Sequence, residues 1–157
     1  EPAADYISFD CGIFNPYHGM PLTSEYSSQI YYALYDINGD GFEECLFTSD
    51  PGIEKTDYPG YYDIWTNDGT EVHHVLAGGY RSFQIITENG EILNGGSGGA
   101  TMGGYDVYSF TSKGETNVVD SYFYETYNAD IEAEIADFLE SYPKRGITLR
   151  WFSIPEV

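Results

Sequence analysis

The sequence predicts a mainly β (α+β) domain: an antiparallel meander of about 7–9 strands, forming a curved sheet or small open barrel, with one C-terminal helix near residues 129–142 packed on it. Three observations carry this. Short β-branched and aromatic runs recur along the middle of the chain. Glycine-containing turn dipeptides separate them in pairs. Only one stretch has the 3.6-residue apolar period of a helix. With 157 residues, 41% of them apolar, the chain fits one domain, residues 1–157, around one core.

The elements follow in order. Residues 30–35 (Ile-Tyr-Tyr-Ala-Leu-Tyr) read as a strand, and residues 44–48 as a second, directly after an acidic loop. Residues 61–66 and 70–76 flank Asn67-Asp68-Gly69; Gly accepts the positive φ of a tight turn, so this is a hairpin. Residues 82–87 and 91–94 flank Asn89-Gly90, and residues 105–111 and 116–124 flank Lys113-Gly114. Three hairpins in sequence make a meander with neighbouring strands adjacent in space. Their regular spacing invites a propeller-blade reading, but the chain is too short for a closed propeller of at least about four blades. In residues 129–142, Ile131, Ile135, Phe138 and Leu139 fall on one helical face. Asn128 or Asp130 can cap this helix, its acidic first turns suit the dipole, and Pro143 ends it. Its apolar stripe should lie against the sheet. Gly146 leads to a last strand, residues 147–152. Residues 24–29 form at most a short helix in an irregular first thirty residues.

Charge restricts the partners. The 26 acidic residues outnumber 6 basic ones, for a net charge of −20. No basic cluster exists to meet phosphates, which excludes nucleic acid and disfavours an anionic membrane. Divalent cations and neutral or basic partners are favoured, and the acidity also maintains solubility. No apolar run of about 18 residues exists to span a membrane. The chain begins Glu1-Pro2 without an apolar leader, as a mature exported protein or a trimmed chain would. Cys11 and Cys45 can form a disulfide in an oxidising compartment, or Cys45 can be a buried thiol in its apolar run.

The segment Asp36-Ile37-Asn38-Gly39-Asp40-Gly41-Phe42-Glu43-Glu44 is the most informative. Asp36, Asn38 and Asp40 place oxygen side chains at alternate positions. Gly41 permits the turn that wraps backbone around an ion, Phe42 offers a carbonyl, and Glu44 closes the sphere. This all-oxygen set of Asp36, Asn38, Asp40, Phe42 and Glu44 matches calcium, which takes six to eight oxygens at about 2.3–2.6 Å. A full EF-hand needs a carboxylate where Phe47 stands, so the loop is not one. The other reading is a tight acidic turn held by Asx-type hydrogen bonds.

The loop resembles the short calcium loops of FG-GAP-type β-propeller repeats. Residues 31–46 most resemble a group of uncharacterised exported lipoprotein-like proteins of gut Firmicutes, which carry an Asp-Ile-Asn-Gly-Asp-Gly run followed by Glu-Glu and an apolar strand. Tyr62-Asp63-Ile64-Trp65 and the glycine-rich residues 95–105 share that likeness. Cys45 stands where the group has an aliphatic residue. The resemblance implies an exported, surface-attached protein and brings no enzyme activity.

Other constellations are weaker. Residues 95–104 hold six glycines and read as a surface loop between hairpins, because no P-loop lysine or Rossmann context accompanies them. His73 and His74 point to opposite faces of a strand, one to the surface and one to the core, and His18 stands alone. No nucleophile elbow is present, and no carboxylate pair can be chosen among so many. Tyr61, Asp63 and Trp65 share a strand face, as do Asp106 and Tyr108; such faces suit stacking on sugar rings or ordinary cross-strand packing. The functional expectation is an exported, extracellular or cell-surface, calcium-stabilised, non-catalytic β domain that binds protein or glycan. The alternatives are an extracellular hydrolase and a purely structural domain.

Overall fold

A computed structural model of the chain describes residues 30–48, 62–78 and 82–153. The strands are β1 (Tyr31–Tyr35), β2 (Glu44–Thr48), β3 (Asp63–Asn67), β4 (Val72–Ala77), β5 (Ser82–Ile86), β6 (Ile92–Ser97), β7 (Gly103–Phe110), β8 (Thr116–Tyr124) and β9 (Phe152–Ser153), with one helix, α1 (Ala129–Glu140), before β9. Every pairing is antiparallel. The expected meander is present, but it runs as two sheets rather than one. The first has the order β4-β3-β2-β1-β9 and the second β5-β6-β7-β8, and neither closes into a barrel.

The core lies between the sheets. Ala33, Leu46, Ile64 and Val75 of the first sheet meet Ile86, Ile92 and Phe110 of the second, with Ile37, Tyr62 and Leu149 in the same cluster. Strand alternation explains the set: Ala33, Leu46 and Ile64 are cross-strand partners and so share one face. Helix α1 covers the opposite face of the second sheet, where Phe138 packs on Tyr105 and Tyr122 at ring-centroid distances of 6.1 and 5.8 Å. The apolar stripe therefore lies against the sheet as the period requires. Asn128 is the N-cap, its side chain accepting from the amides of Asp130 and Ile131. The helix stops short of Pro143 because the Ser141 and Tyr142 amides turn back three residues, to Phe138 and Leu139.

Three expectations need correction. The last strand is only β9, not residues 147–152. The preceding segment first bonds the second sheet, through the Arg145 amide to the Ile86 carbonyl, and then crosses to β1. Ile147, Leu149 and Trp151 pack the core on the way. Residues 95–104 are not one loop: Gly95 and Gly96 belong to β6, Gly103 and Gly104 to β7. The glycines make room for aromatic rings. A Cβ at Gly95 would overlap the Phe83 ring, and one at Gly103 would come within 2.5 Å of the Tyr124 hydroxyl. Neither His73 nor His74 is in the core: His73 is partly buried beside Asp68 and His74 is half-exposed beside Asp63, while Val75 supplies the core residue of β4. Residues 24–29, Cys11, His18 and Tyr61 lie outside the described residues. No helix among the described residues is long and apolar enough to cross a membrane.

Candidate functional site

The acidic loop connects β1 to β2, and its conformation follows from its residue types. Gly39 and Gly41 take φ of 76° and 91°, which L side chains rarely adopt. Ile37, between the acidic positions, is fully buried in the core and anchors the bend. The Asp36 carboxylate accepts the Gly39 amide at 2.7 Å and the Gly41 amide at 3.1 Å. Asn38 Oδ1 accepts the Asp40 amide at 3.0 Å, and Asp40 Oδ1 accepts the Phe42 amide at 2.9 Å. Asn38 Nδ2 donates to Asp40 Oδ2 at 3.1 Å. The Phe42 ring closes the far side, 3.3 Å from where a Cβ on Gly69 would sit.

Glu44 differs from the other loop acids. It opens β2, is fully buried, and has a neutral donor on each oxygen: the Ile37 amide at 2.8 Å and the Thr66 hydroxyl at 2.9 Å. Burial pushes its carboxyl above the ordinary glutamate value. The two hydrogen bonds oppose that shift, and the charges of Asp40 and Asp36 add to it. No ion pair reaches it among the described residues. Among the described residues a carboxylate is thus enclosed beside two more acids with no cationic side chain bonded to it.

The five predicted residues, Asp36, Asn38, Asp40, Phe42 and Glu44, do share one turn. The side-chain oxygens of Asp36, Asn38 and Asp40 are engaged by amides of the loop and those of Glu44 by the Ile37 amide and the Thr66 hydroxyl, and among the described residues no three His, Cys, Asp or Glu side chains are placed as a ready metal cage. The donor chemistry still fits a hard cation. Each carboxylate oxygen accepts one hydrogen bond and keeps a second lone pair, and all five candidates offer oxygen.

Two participants carried no sequence signal. Thr66 reaches Glu44 from β3 because both face the core side of the first sheet. Arg145, more than a hundred residues away, donates from Nη1 to the Ile37 carbonyl at 3.1 Å and to the Tyr35 hydroxyl at 3.3 Å, and from Nη2 to the Glu88 carbonyl at 3.1 Å.

A second polar group lies on the outer face of the first sheet. His74 Nε2 is 2.8 Å from Asp63 Oδ1, and Trp65 Nε1 donates to Asp63 Oδ2 at 3.1 Å. The Trp65 and His74 rings lie 4.9 Å apart. The aromatic and carboxylate predicted to share a face therefore bond each other. The other predicted pair does too, more weakly: the Tyr108 hydroxyl lies 3.4 Å from Asp106 Oδ2. Cys45 pairs across the ladder with Trp65 and carries a free thiol, pushed up to about 12 by burial and by the charge of Asp63. Asp68 shapes the β3–β4 turn. The Thr70 hydroxyl, then the Glu71 and Thr70 amides, hold its carboxyl well below the usual carboxylate range.

Comparison with protein families, with curated proteins and with solved structures finds no match to this chain.

Proposed function

We propose that this chain is an exported, calcium-stabilised, non-catalytic β domain of the bacterial cell surface that binds protein or glycan. The observation that carries the calcium part is Glu44. A carboxylate removed from water, with two more acids beside it and only neutral donors on its oxygens, is costly when ionised. A divalent cation held by Asp36, Asn38, Asp40, the Phe42 carbonyl and Glu44 would offset that cost. When bound, it would supply charge neutralisation and tie β1 to β2. Export and surface attachment are supported by the resemblance of residues 31–46 to exported lipoprotein-like proteins.

Melting with calcium and with chelator tests the first part. At about a hundredfold excess over Kd, an ion that binds only the folded state stabilises it by about 2.7 kcal/mol. For a chain of this size that raises Tm by about 5–10 °C. Asp40→Ala and Glu44→Gln remove the response. Superimposable curves with and without calcium would refute the site. A protein and glycan binding screen, run in calcium and in chelator, tests the second part.

A second reading, an extracellular hydrolase, has one observation in its favour: the bonded Asp63–His74 pair, with His74 half-exposed and Asp63 buried, has the form of an oriented general base. Hydrolysis of glycan or ester substrates that disappears in His74→Ala would establish it in place of the first.

A further inference from the structure

Strand β8 is the outer strand of the second sheet, and among the described residues nothing pairs with its far edge. It is nine residues long and contains no Lys and no Pro, two residues that commonly blunt an open edge. Val118, Val119 and Phe123 are 53%, 47% and 64% exposed along it. A bulge isolates Val119: Val107 pairs with Asp120 and Tyr108 with Val118. Beyond the bulge, Asp120–Tyr124 is regular and pairs residue by residue with Gly103–Val107. This length of the ladder has no strand on its outer side among the described residues, although the Ser121 amide turns to the neighbouring Asp120 carboxylate at 2.8 Å, a contact that an added strand would replace.

The two sides of that ladder differ. Ser121 and Phe123 point to one face, where the Phe123 ring lies over Gly104. Asp120, Tyr122 and Tyr124 point to the other, under α1. The helix carries five acidic residues and no basic one. Asp137 and Glu140 lie toward its C-terminus, where the helix dipole disfavours negative charge, so helix stability does not account for them.

We propose that the β8 edge at residues 120–124 accepts an extended protein segment as an added strand, one that alternates apolar and cationic side chains. Backbone pairing supplies affinity and the alternate side chains supply specificity. Apolar residues of the partner lie beside Phe123, and its lysines or arginines lie on the side of Asp120 and the acidic helix. Charge selects this occupant over a second copy of the chain, since two chains at −20 each repel. The proposal rests on the reading of the domain as a binding module, and is independent of the calcium loop.

The test uses the full chain and a capped peptide of alternating lysine and valine, followed by calorimetry and by amide exchange. The proposal is supported by saturable binding of one peptide per chain that protects amides in 120–124. That binding disappears when every second peptide amide is N-methylated. It weakens about tenfold in Phe123→Lys, with melting unchanged, because the substitution removes the apolar contact and adds a repelling charge. Val119→Lys serves if that variant misfolds. Outward-facing amides of residues 120–124, those not bonded to β7, that are already protected without peptide would overturn the proposal, as would self-association abolished by Phe123→Lys. Binding indifferent to N-methylation would also overturn it, leaving only general attraction to an acidic surface. Failure of the peptide alongside a protein or glycan hit elsewhere would remove the edge and keep the binding-module reading; failure of both would remove both.

Discussion

The Arg145 guanidinium donates to the main-chain carbonyl of Ile37 at 3.1 Å, and so joins the bend of the acidic loop to the segment that follows the helix. The same side chain reaches Tyr35 and the Glu88 carbonyl, and its amide bonds Ile86. One residue therefore links the first sheet, the loop and the β5–β6 hairpin of the second sheet. Its planar fork is suited to this, because separate nitrogens serve separate acceptors.

Arg145→Ala should destabilise the chain by about 1–3 kcal/mol, the range for leaving partly buried acceptors without donors. Arg145→Lys should recover less than half of the loss, since one ammonium cannot occupy both nitrogen positions. Denaturant melts of the three proteins check this. A fully restored lysine variant would show that charge alone matters.

Gly39 and Gly90 distinguish backbone strain from collision. Both have positive φ, 76° and 80°. A Cβ on Gly39 meets open space, whereas one on Gly90 would lie 2.6 Å from the Ile37 carbonyl oxygen. Gly39→Ala should cost about 1 kcal/mol for its conformation alone. Gly90→Ala should cost about 2–4 kcal/mol and should loosen the loop as well, seen as faster exchange of the loop amides. Equal costs would mean that the hairpin and the loop do not bear on each other.

Phe83 lies over Gly95, with Tyr105 on the far side at 6.0 Å between ring centroids. Gly95→Ala should therefore cost about 1–3 kcal/mol through displacement of the ring. In a Phe83→Ala background the same substitution should be nearly neutral. The double-mutant cycle measures that coupling, and additive costs would count against the packing.

Two tyrosines should titrate late. The Tyr122 hydroxyl donates to Glu134 at 2.7 Å, and the Tyr142 hydroxyl to Asp120 at 2.6 Å. Each bond to a carboxylate pushes its phenol up to about 12, with smaller contributions from desolvation. Because the folded chain holds these protons more tightly than the unfolded chain, their stabilisation is complete below the ordinary tyrosine value of about 10. It is lost as pH rises from about 10 toward 12. Absorbance titration near 295 nm should show a late phenolate step. Tyr122→Phe and Tyr142→Phe should each shrink it, and an unchanged step would show that these two phenols are not its source.

What the sequence determined by itself was local. Asn-Gly, Asp-Gly and Lys-Gly dipeptides between β-branched runs located the hairpins, because positive φ is a property of a single residue. The period of Ile131, Ile135, Phe138 and Leu139 located the helix, and β2 and β8 matched residue for residue. The spacing of Asp36, Asn38 and Asp40 placed them in one turn for the same reason. Only tertiary structure decided the rest. The break between β4 and β5 into two sheets, the shortening of the last strand to β9, and the incorporation of the glycine run into β6 and β7 depend on aromatic rings and core residues far along the chain. Thr66 and Arg145 reach the loop from distant positions. Glu44 reads in sequence as the last oxygen of the loop; only folding shows that it is removed from water, and its burial gives the loop its chemical character.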